Sequence, residues 1–208
     1  QNNNYNSDKS DSNTNQELNL NHNNQLSQTI STQVPSLWYG KLTKDFNLGG
    51  SVDGKISDNL VNGILPNGIT MQGKLDINQK EVHDSGRDLT FSAPKSVSIL
   101  SEILGVDLLR KSHNLAVEKT LNHIEENYSF TRIKQNGQTS KQLTKNMLFA
   151  TYVHNTSREL DPQLHTHCMA FNLTKRNDGN YRTLLFDGIF DDYKHLGLIY
   201  RSNLAFEI

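Results

Sequence analysis

The sequence predicts a domain that mixes helix and strand, with an amphipathic helix packed on a sheet. Three segments carry that expectation. Arg87-Asp88-Leu89-Thr90-Phe91-Ser92 alternates polar and apolar residues, the period of a strand with one buried face. Between Asp107 and Tyr128, the apolar residues Leu108, Leu115, Leu121, Ile124 and Tyr128 recur at roughly helical spacing among charged ones. Segments 146–154 and 165–173 read as two strands joined by a polar turn that contains Asp161-Pro162, a hairpin-like pair.

The other elements follow in chain order. Residues 1–34 are dominated by Asn, Ser, Gln and Asp, and their isolated Leu18, Leu20 and Leu26 show no period. Such a segment buries too little apolar surface to offset its ordering entropy, so a disordered low-complexity stretch is expected, closed by Pro35. A folded domain is expected over 35–208. The pattern changes at Leu37-Trp38-Tyr39-Gly40, after which glycines at 49, 50, 54, 63, 68 and 73 imply turns around one short helix or strands. Ala93-Pro94 ends the alternating strand, and a short helix is expected over 95–104. Asn177-Asp178-Gly179-Asn180 is a turn signal, followed by a strand over 181–186 and a final helix from near Asp191. The chain starts at Gln1, and 200–208 reads as a helix stopped midway, which points to a fragment of a longer protein.

Composition removes several classes of function. A net charge of -1 lacks the basic footprint of a nucleic-acid binder, so any DNA contact must come from local patches. The single cysteine, Cys168, excludes an intrachain disulfide framework and fits a reducing setting. No apolar run approaches the length of a membrane span and the polar start has no signal core, so a cytoplasmic protein is the default expectation. No phosphate-binding G-x-x-x-x-G-K-[ST] loop is present, since Pro94 precedes Lys95-Ser96 and Gly86 stands too far back.

The chemistry concentrates in histidines. His165 and His167, two apart in an expected strand, point to one face and can share an ion. His154 ends the preceding strand, and an antiparallel return can bring it opposite them. Three nitrogen ligands with open positions are the count of a catalytic metal site. The remaining histidines, His22, His83, His113, His123 and His195, are expected to be surface or satisfied core residues. Asp88 shares a polar strand face with Thr90 and Ser92. A carboxylate there can take the free ring N–H of a ligand histidine, can accept a proton from an attacking hydroxyl, or can be a solvated edge residue. Between Asn127 and Ser157 there is no acid, whereas Arg132, Lys134, Lys141 and Lys145 lie within it and Arg158 just beyond. This stretch, with Lys175 and Arg176 later, reads either as phosphate-backbone contact or as a plain solvated face.

Gly86 to Ser98, with Asp88-Leu89-Thr90-Phe91-Ser92-Ala93-Pro94-Lys95-Ser96-Val97 at its heart, and His154-Asn155-Thr156-Ser157-Arg158 through Asp161-Pro162-Gln163-Leu164-His165-Thr166-His167 closely resemble the two signature blocks of MobF-class conjugative relaxases. Trp38 to Lys41 and Asn172 to Arg176 with Asp178-Gly179 resemble that family's flanking pieces, so the likeness spans about residues 37–207. It implies an α+β fold with a central antiparallel β-sheet flanked by helices, of the HUH endonuclease type. It also implies His154, His165 and His167 as ligands of one divalent metal ion, Mg²⁺ or Mn²⁺, and Asp88 as the acidic partner. The implied substrate is single-stranded DNA at a plasmid transfer origin, nicked by a tyrosine that becomes linked to the 5′ phosphate. Other relaxosome proteins and a C-terminal helicase region are implied for the full-length protein. Family members carry tyrosine pairs ahead of the tryptophan segment, whereas Tyr5 is the only tyrosine before Trp38 here. Tyr5 is therefore the candidate nucleophile, and Tyr39 is expected to pack. Two other readings stand beside this one: a truncated remnant that binds DNA and metal without cleaving, and a cupin-type oxygenase, which would be nearly all strand.

Overall fold

The computed structural model describes residues 34–208 except 72, 76, 79 and 80. Four strands form the central sheet, in the order β1 (Ser36–Tyr39), β7 (Phe149–Thr156), β8 (Pro162–Phe171), β4 (Gly86–Ser92), every neighbour antiparallel. Three two-stranded ribbons accompany it: β2 (Lys74–Leu75) with β3 (Glu81–Val82), β5 (Phe130–Gln135) with β6 (Gln138–Leu143), and β9 (Thr174–Lys175) with β10 (Tyr181–Arg182). The helices are α1 (Leu42–Asp45), α2 (Gly54–Val61), α3 (Lys95–Glu102), α4 (Asp107–Tyr128), α5 (Asp187–Asp191) and α6 (Tyr193–Glu207). Helix and strand occur together around an antiparallel sheet, which is the α+β expectation and excludes the all-strand cupin alternative.

The sheet has two unlike faces. Along β8, Leu164, Thr166, Cys168 and Ala170 are buried toward the helices, while His165, His167 and Met169 are half-buried on the opposite side. Under the first face α3, α4 and α6 close a core that includes Phe91, Val97, Leu121, Ile124, Phe149 and Tyr200. The second face is covered by the glycine-punctuated segment, where Trp38, Leu42, Leu60, Leu65 and Met71 pack on Leu148, Ala150, Phe171 and Leu173. That cover reaches Tyr152 and Met169, and the histidine end of the strands lies beyond it.

Two local devices hold the tryptophan segment to the sheet. Gly40 has φ of 95°, and a Cβ there would stand 2.4 Å from the Met147 carbonyl oxygen, so only glycine fits. Buried Glu125 on α4 accepts from the backbone N–H of Lys41 at 2.7 Å and of Met147 at 2.8 Å, which ties helix, turn and strand at one oxygen.

Several expectations need correction. The hairpin strands run to Thr156 and begin again at Pro162, because Ser157 N–H donates to the Asp161 carbonyl at 2.8 Å and closes a shorter turn. At their other ends, 146–148 and 172–173 lie outside the strands. The 181–186 strand stops at Arg182, since Leu184 and Phe186 drop into the first core. The final helix, expected from near Asp191, is α6 from Tyr193, the short α5 before it has no counterpart among the expected elements, and the helix expected over 95–104 ends at Glu102. Helix α4 has the expected bounds but a different buried face: Leu109, Ser112, His113, Ala116, Val117 and Thr120 turn inward, while Leu108 is 59% and Leu115 44% exposed. The β5–β6 ribbon has no counterpart among the expected elements. Its turn has Asn136 at φ 50° and Gly137 at φ 78°, the paired left-handed residues that match a tight hairpin to strand twist. Tyr5 and the 1–34 segment, up to residue 33, fall outside the described residues. Among the described residues no helix is long and apolar enough to cross a membrane.

Candidate metal centre and nucleic-acid face

Strand register brings the three histidines together. His154 pairs directly with His165 across β7–β8, while on the other side of β8 Ser92 stands opposite His165 and Thr90 opposite His167. A register shift between His154 and Thr156 bends β7 just beyond the site. The ring centroids are 5.2 Å apart for His154–His165, 5.3 Å for His154–His167 and 5.2 Å for His165–His167. An imidazole nitrogen ligates at ~2.1 Å, which puts its ring centre ~3.2 Å from the ion, so three ligating rings at about 90–110° to one another have centres ~4.5–5.2 Å apart. The spacing fits that arrangement at its open end. The ring planes do not yet fit: His154 and His165 are stacked at 20°, and among the described residues no group of three donors is in a ready-made metal-holding arrangement. The centroid spacing is that of ligands to one ion, and reorienting the stacked His154 and His165 rings is the change that binding would require.

Two of the rings have partners that leave their outer nitrogens available. Nδ1 of His165 lies 2.9 Å from the Gln163 carbonyl oxygen, and a carbonyl only accepts, so the proton is assigned to Nδ1 and the lone pair to Nε2. Nδ1 of His167 lies 2.6 Å from Asp88 Oδ2, which assigns the same tautomer. A carboxylate behind a ligand histidine fixes ring orientation and raises its basicity. Of the two working roles read for Asp88 in the sequence, the first is made through Oδ2, and among the described residues Oδ1 has no partner that would block the second. Thr90, which sequence reasoning saw only as part of a polar face, joins this pair: its Oγ1 is 3.2 Å from His167 Nδ1 and 3.4 Å from Asp88 Oδ2. For His154, desolvation, then the charges of His165 and His167, lower the ring pKa and favour the neutral form that can ligate.

The other candidate residues divide. Arg132, Lys134 and Lys141 are exposed on the β5–β6 ribbon, with Arg132 directly opposite Lys141. Arg158 is exposed in the 157–161 turn at the histidine end of the sheet. Among the described residues these four have no acidic partner. By contrast Lys145 lies 3.7 Å from Glu126, Lys175 2.8 Å from Asp45 and Arg176 3.0 Å from Asp178, so their charges are already engaged. Tyr39 packs on Phe149 and donates to the Glu118 carbonyl, and burial raises its hydroxyl pKa, so it is unsuited to attack. His83, His113, His123 and His195 stand apart from the triad. His113 is a satisfied core residue, bonded to Tyr200 and Thr166. A groove of about 450 Å³ runs beside β4, lined by Asp88, Thr90, Ser92, Tyr193 and Arg201, whereas none of the three histidines lines it. A site laid out on an open sheet face suits a long polymer better than an enclosed small molecule.

The chain is similar to known proteins over most of its length. The family model described as TrwC relaxase matches residues 3–208. Two curated relatives are multifunctional conjugation proteins TraI of Escherichia coli. One is 40% identical over 152 residues, 73% of this chain and 8% of the relative. The other, from strain K12, is 35% identical over 180 residues, 82% of this chain and 10% of the relative. The chain thus spans a small part of those proteins. Among solved structures, a copper-bound conjugative relaxase TrwC in complex with oriT DNA superposes with a TM-score of 0.77 at 40% identity, covering 83% of this chain and 58% of that one. A metal-free TrwC complex with oriT DNA gives 0.78 at 39% identity, covering 84% and 61%. The fold likeness and a family match over almost the whole length agree, and the chain belongs to the TrwC relaxase family, the MobF-type conjugative relaxases.

Proposed function

We propose that this chain is the catalytic part of a relaxase that nicks and rejoins one DNA strand at a plasmid transfer origin. In this reading His154, His165 and His167 ligate one divalent ion, Mg²⁺ or Mn²⁺. The observation that carries it is the histidine triad on the uncovered end of the sheet, with two rings held by Asp88 and the Gln163 carbonyl. The TrwC structures to which the chain is similar are complexes with oriT DNA, one of them metal-bound and one copper-bound, which supports a divalent metal and a single-stranded origin as substrate.

The chain's own residues divide the work as follows. A tyrosine oxygen attacks the scissile phosphorus, the bond to the 3′ oxygen breaks, that oxygen leaves with a proton, and the 5′ phosphate stays on the tyrosine. Exchange of one phosphodiester for another keeps the bond energy for rejoining. Tyr5 is the tyrosine we assign to this step. Asp88 orients His167 through Oδ2, which leaves Oδ1 to take the tyrosine proton. When bound, the ion supplies positive charge to the phosphoryl oxygens as negative charge develops there. Arg132, Lys134, Lys141 and Arg158 hold the phosphate backbone, and Lys145, Lys175 and Arg176 would do so only after releasing their acidic partners. A cytoplasmic setting, other relaxosome proteins and a C-terminal helicase region in the full-length protein belong to the same proposal.

The test is covalent capture. Incubated with Mn²⁺ or Mg²⁺ and an origin-derived oligonucleotide, the protein should yield a protein–DNA adduct that survives denaturing electrophoresis. Chelation or His167→Ala should abolish it, and Tyr5→Phe should abolish it if Tyr5 attacks. Binding of oligonucleotide and metal with no adduct would reduce the chain to a non-cleaving remnant.

A further inference from the structure

Resting on the metal reading above, we propose that Thr90 is a positioning residue whose hydroxyl locks Asp88 and the Nδ1–H of His167 into one array, so that His167 presents its Nε2 lone pair outward. The three ligand rings are not held alike. His165 is fixed by a backbone carbonyl two residues away on its own strand, a contact no neighbouring side chain can remove. For His154 no hydrogen bond is present among the described residues. His167 alone depends on side chains for its aim, and both of them come from β4.

Asp88 by itself is a loose anchor. Its side chain is 49% exposed and that of His167 40%, so water competes for both partners of a 2.6 Å contact. Asp88 also stands opposite Met169, one pair along the ladder from His167, and reaches its partner diagonally. Thr90 is the residue directly opposite His167. Its O–H points to Asp88 Oδ2 at 3.4 Å while its oxygen stands 3.2 Å from His167 Nδ1, so one hydroxyl donates to the carboxylate and shares the imidazole proton. Thr90 is itself exposed, but a β-branched side chain in a strand has few χ1 states, which narrows where its hydroxyl can go. The chemical role needs the oxygen, whereas the strand needs only the shape, and valine supplies the shape without the oxygen.

The test uses the metal-free protein first. In ¹⁵N-labelled wild type, long-range proton–nitrogen correlations of the imidazoles should show His167 as the Nδ1–H tautomer. Thr90→Val should shift it to a mixture with Nε2–H and leave the His165 ring unchanged, while Thr90→Ser should retain the wild-type pattern. Titration with Mn²⁺ alone should then give a Kd about tenfold weaker for Thr90→Val and within about threefold of wild type for Thr90→Ser, the lower range of effects for groups behind a metal ligand. Wild-type tautomer populations in Thr90→Val would overturn the proposal, as would a Mn²⁺ Kd within roughly twofold of wild type. If wild type bound no Mn²⁺ while the tautomer still shifted, the metal reading would fall and the array would stand.

Discussion

At the scale of single residues, two buried ionisable groups give pH signatures of opposite sign. His113 is fully buried, with Nδ1 2.7 Å from the Tyr200 hydroxyl and Nε2 2.8 Å from Thr166 Oγ1, and desolvation, then the charge of His165, lowers its pKa from 6.5 to about 4. A depressed folded pKa stabilises the fold fully above 6.5, and that contribution is lost as pH falls toward 4, amounting to about 3 kcal/mol in all. Urea midpoints should therefore drop across that window, and His113→Gln should flatten the drop; an unchanged slope would contradict the assignment. Glu125 behaves the other way, because burial raises its carboxyl pKa. The folded state prefers it protonated, so its contribution is present below the ordinary carboxylate range and is lost as pH rises through the raised folded value. Gln in its place keeps one oxygen for both N–H donors and removes the titration. The stability of Glu125→Gln relative to wild type should grow with pH, whereas Glu125→Ala orphans two backbone donors and should cost roughly 2–4 kcal/mol. Gly40→Ala should be as damaging as the alanine variant of Glu125, since it combines left-handed strain of about 1–3 kcal/mol with a clash against the Met147 carbonyl.

At the scale of elements, the β5–β6 ribbon is the piece whose charge pattern has no structural purpose. Arg132 facing Lys141 across the ladder is a like-charge pair that weakens the ribbon on its own. A polyanion laid along it would reverse that cost. Replacing Arg132, Lys134 and Lys141 with alanine should leave the melting temperature within a few degrees and weaken single-stranded DNA binding, with the salt slope falling by about 0.7 for each phosphate that is no longer neutralised. An unchanged slope would remove the ribbon from the DNA interface. This ribbon also marks the limit of reading the sequence. Asn136-Gly137 is a strong hairpin signal, yet the flanking residues are polar on both faces, so alternation, the strand cue that located β4 at 87–92, was silent there. Helix α4 was legible in its bounds and illegible in its face. Ser112, His113 and Thr120 turn inward because partners on β8, α6 and the helix's own backbone satisfy their polar atoms, and no periodicity of apolar residues can announce that. The histidine triad was readable because strand period two and one antiparallel return suffice to assemble it. Thr90 was not, because its role exists only across the register of two strands far apart in the chain.

At the scale of the whole molecule, the proposed metal site lies on a sheet that is already closed from behind, so an ion bound there would add to a finished fold and not create it. Metal should then act by mass action alone. At a Mn²⁺ concentration a hundredfold above Kd the fold gains ~2.7 kcal/mol, or ~5–10 °C in Tm for a domain of this size. Differential scanning calorimetry should show that increment, chelation should erase it and leave a cooperative transition, and His165→Ala should remove the increment without removing the transition. A protein that unfolds on chelation would show the opposite dependence.

The place of β8 has one more consequence. It is paired on both sides, by β7 and by β4, and its backward-facing residues Leu164, Thr166, Cys168 and Ala170 are part of the main core, while the intervening positions carry two of the three histidines. Backbone amides in this strand are expected to exchange only when the domain opens as a unit, so those of His165 and His167 should be among the slowest of the described residues in a hydrogen-exchange measurement. An ion held by these histidines would therefore sit above a strand that does not fray.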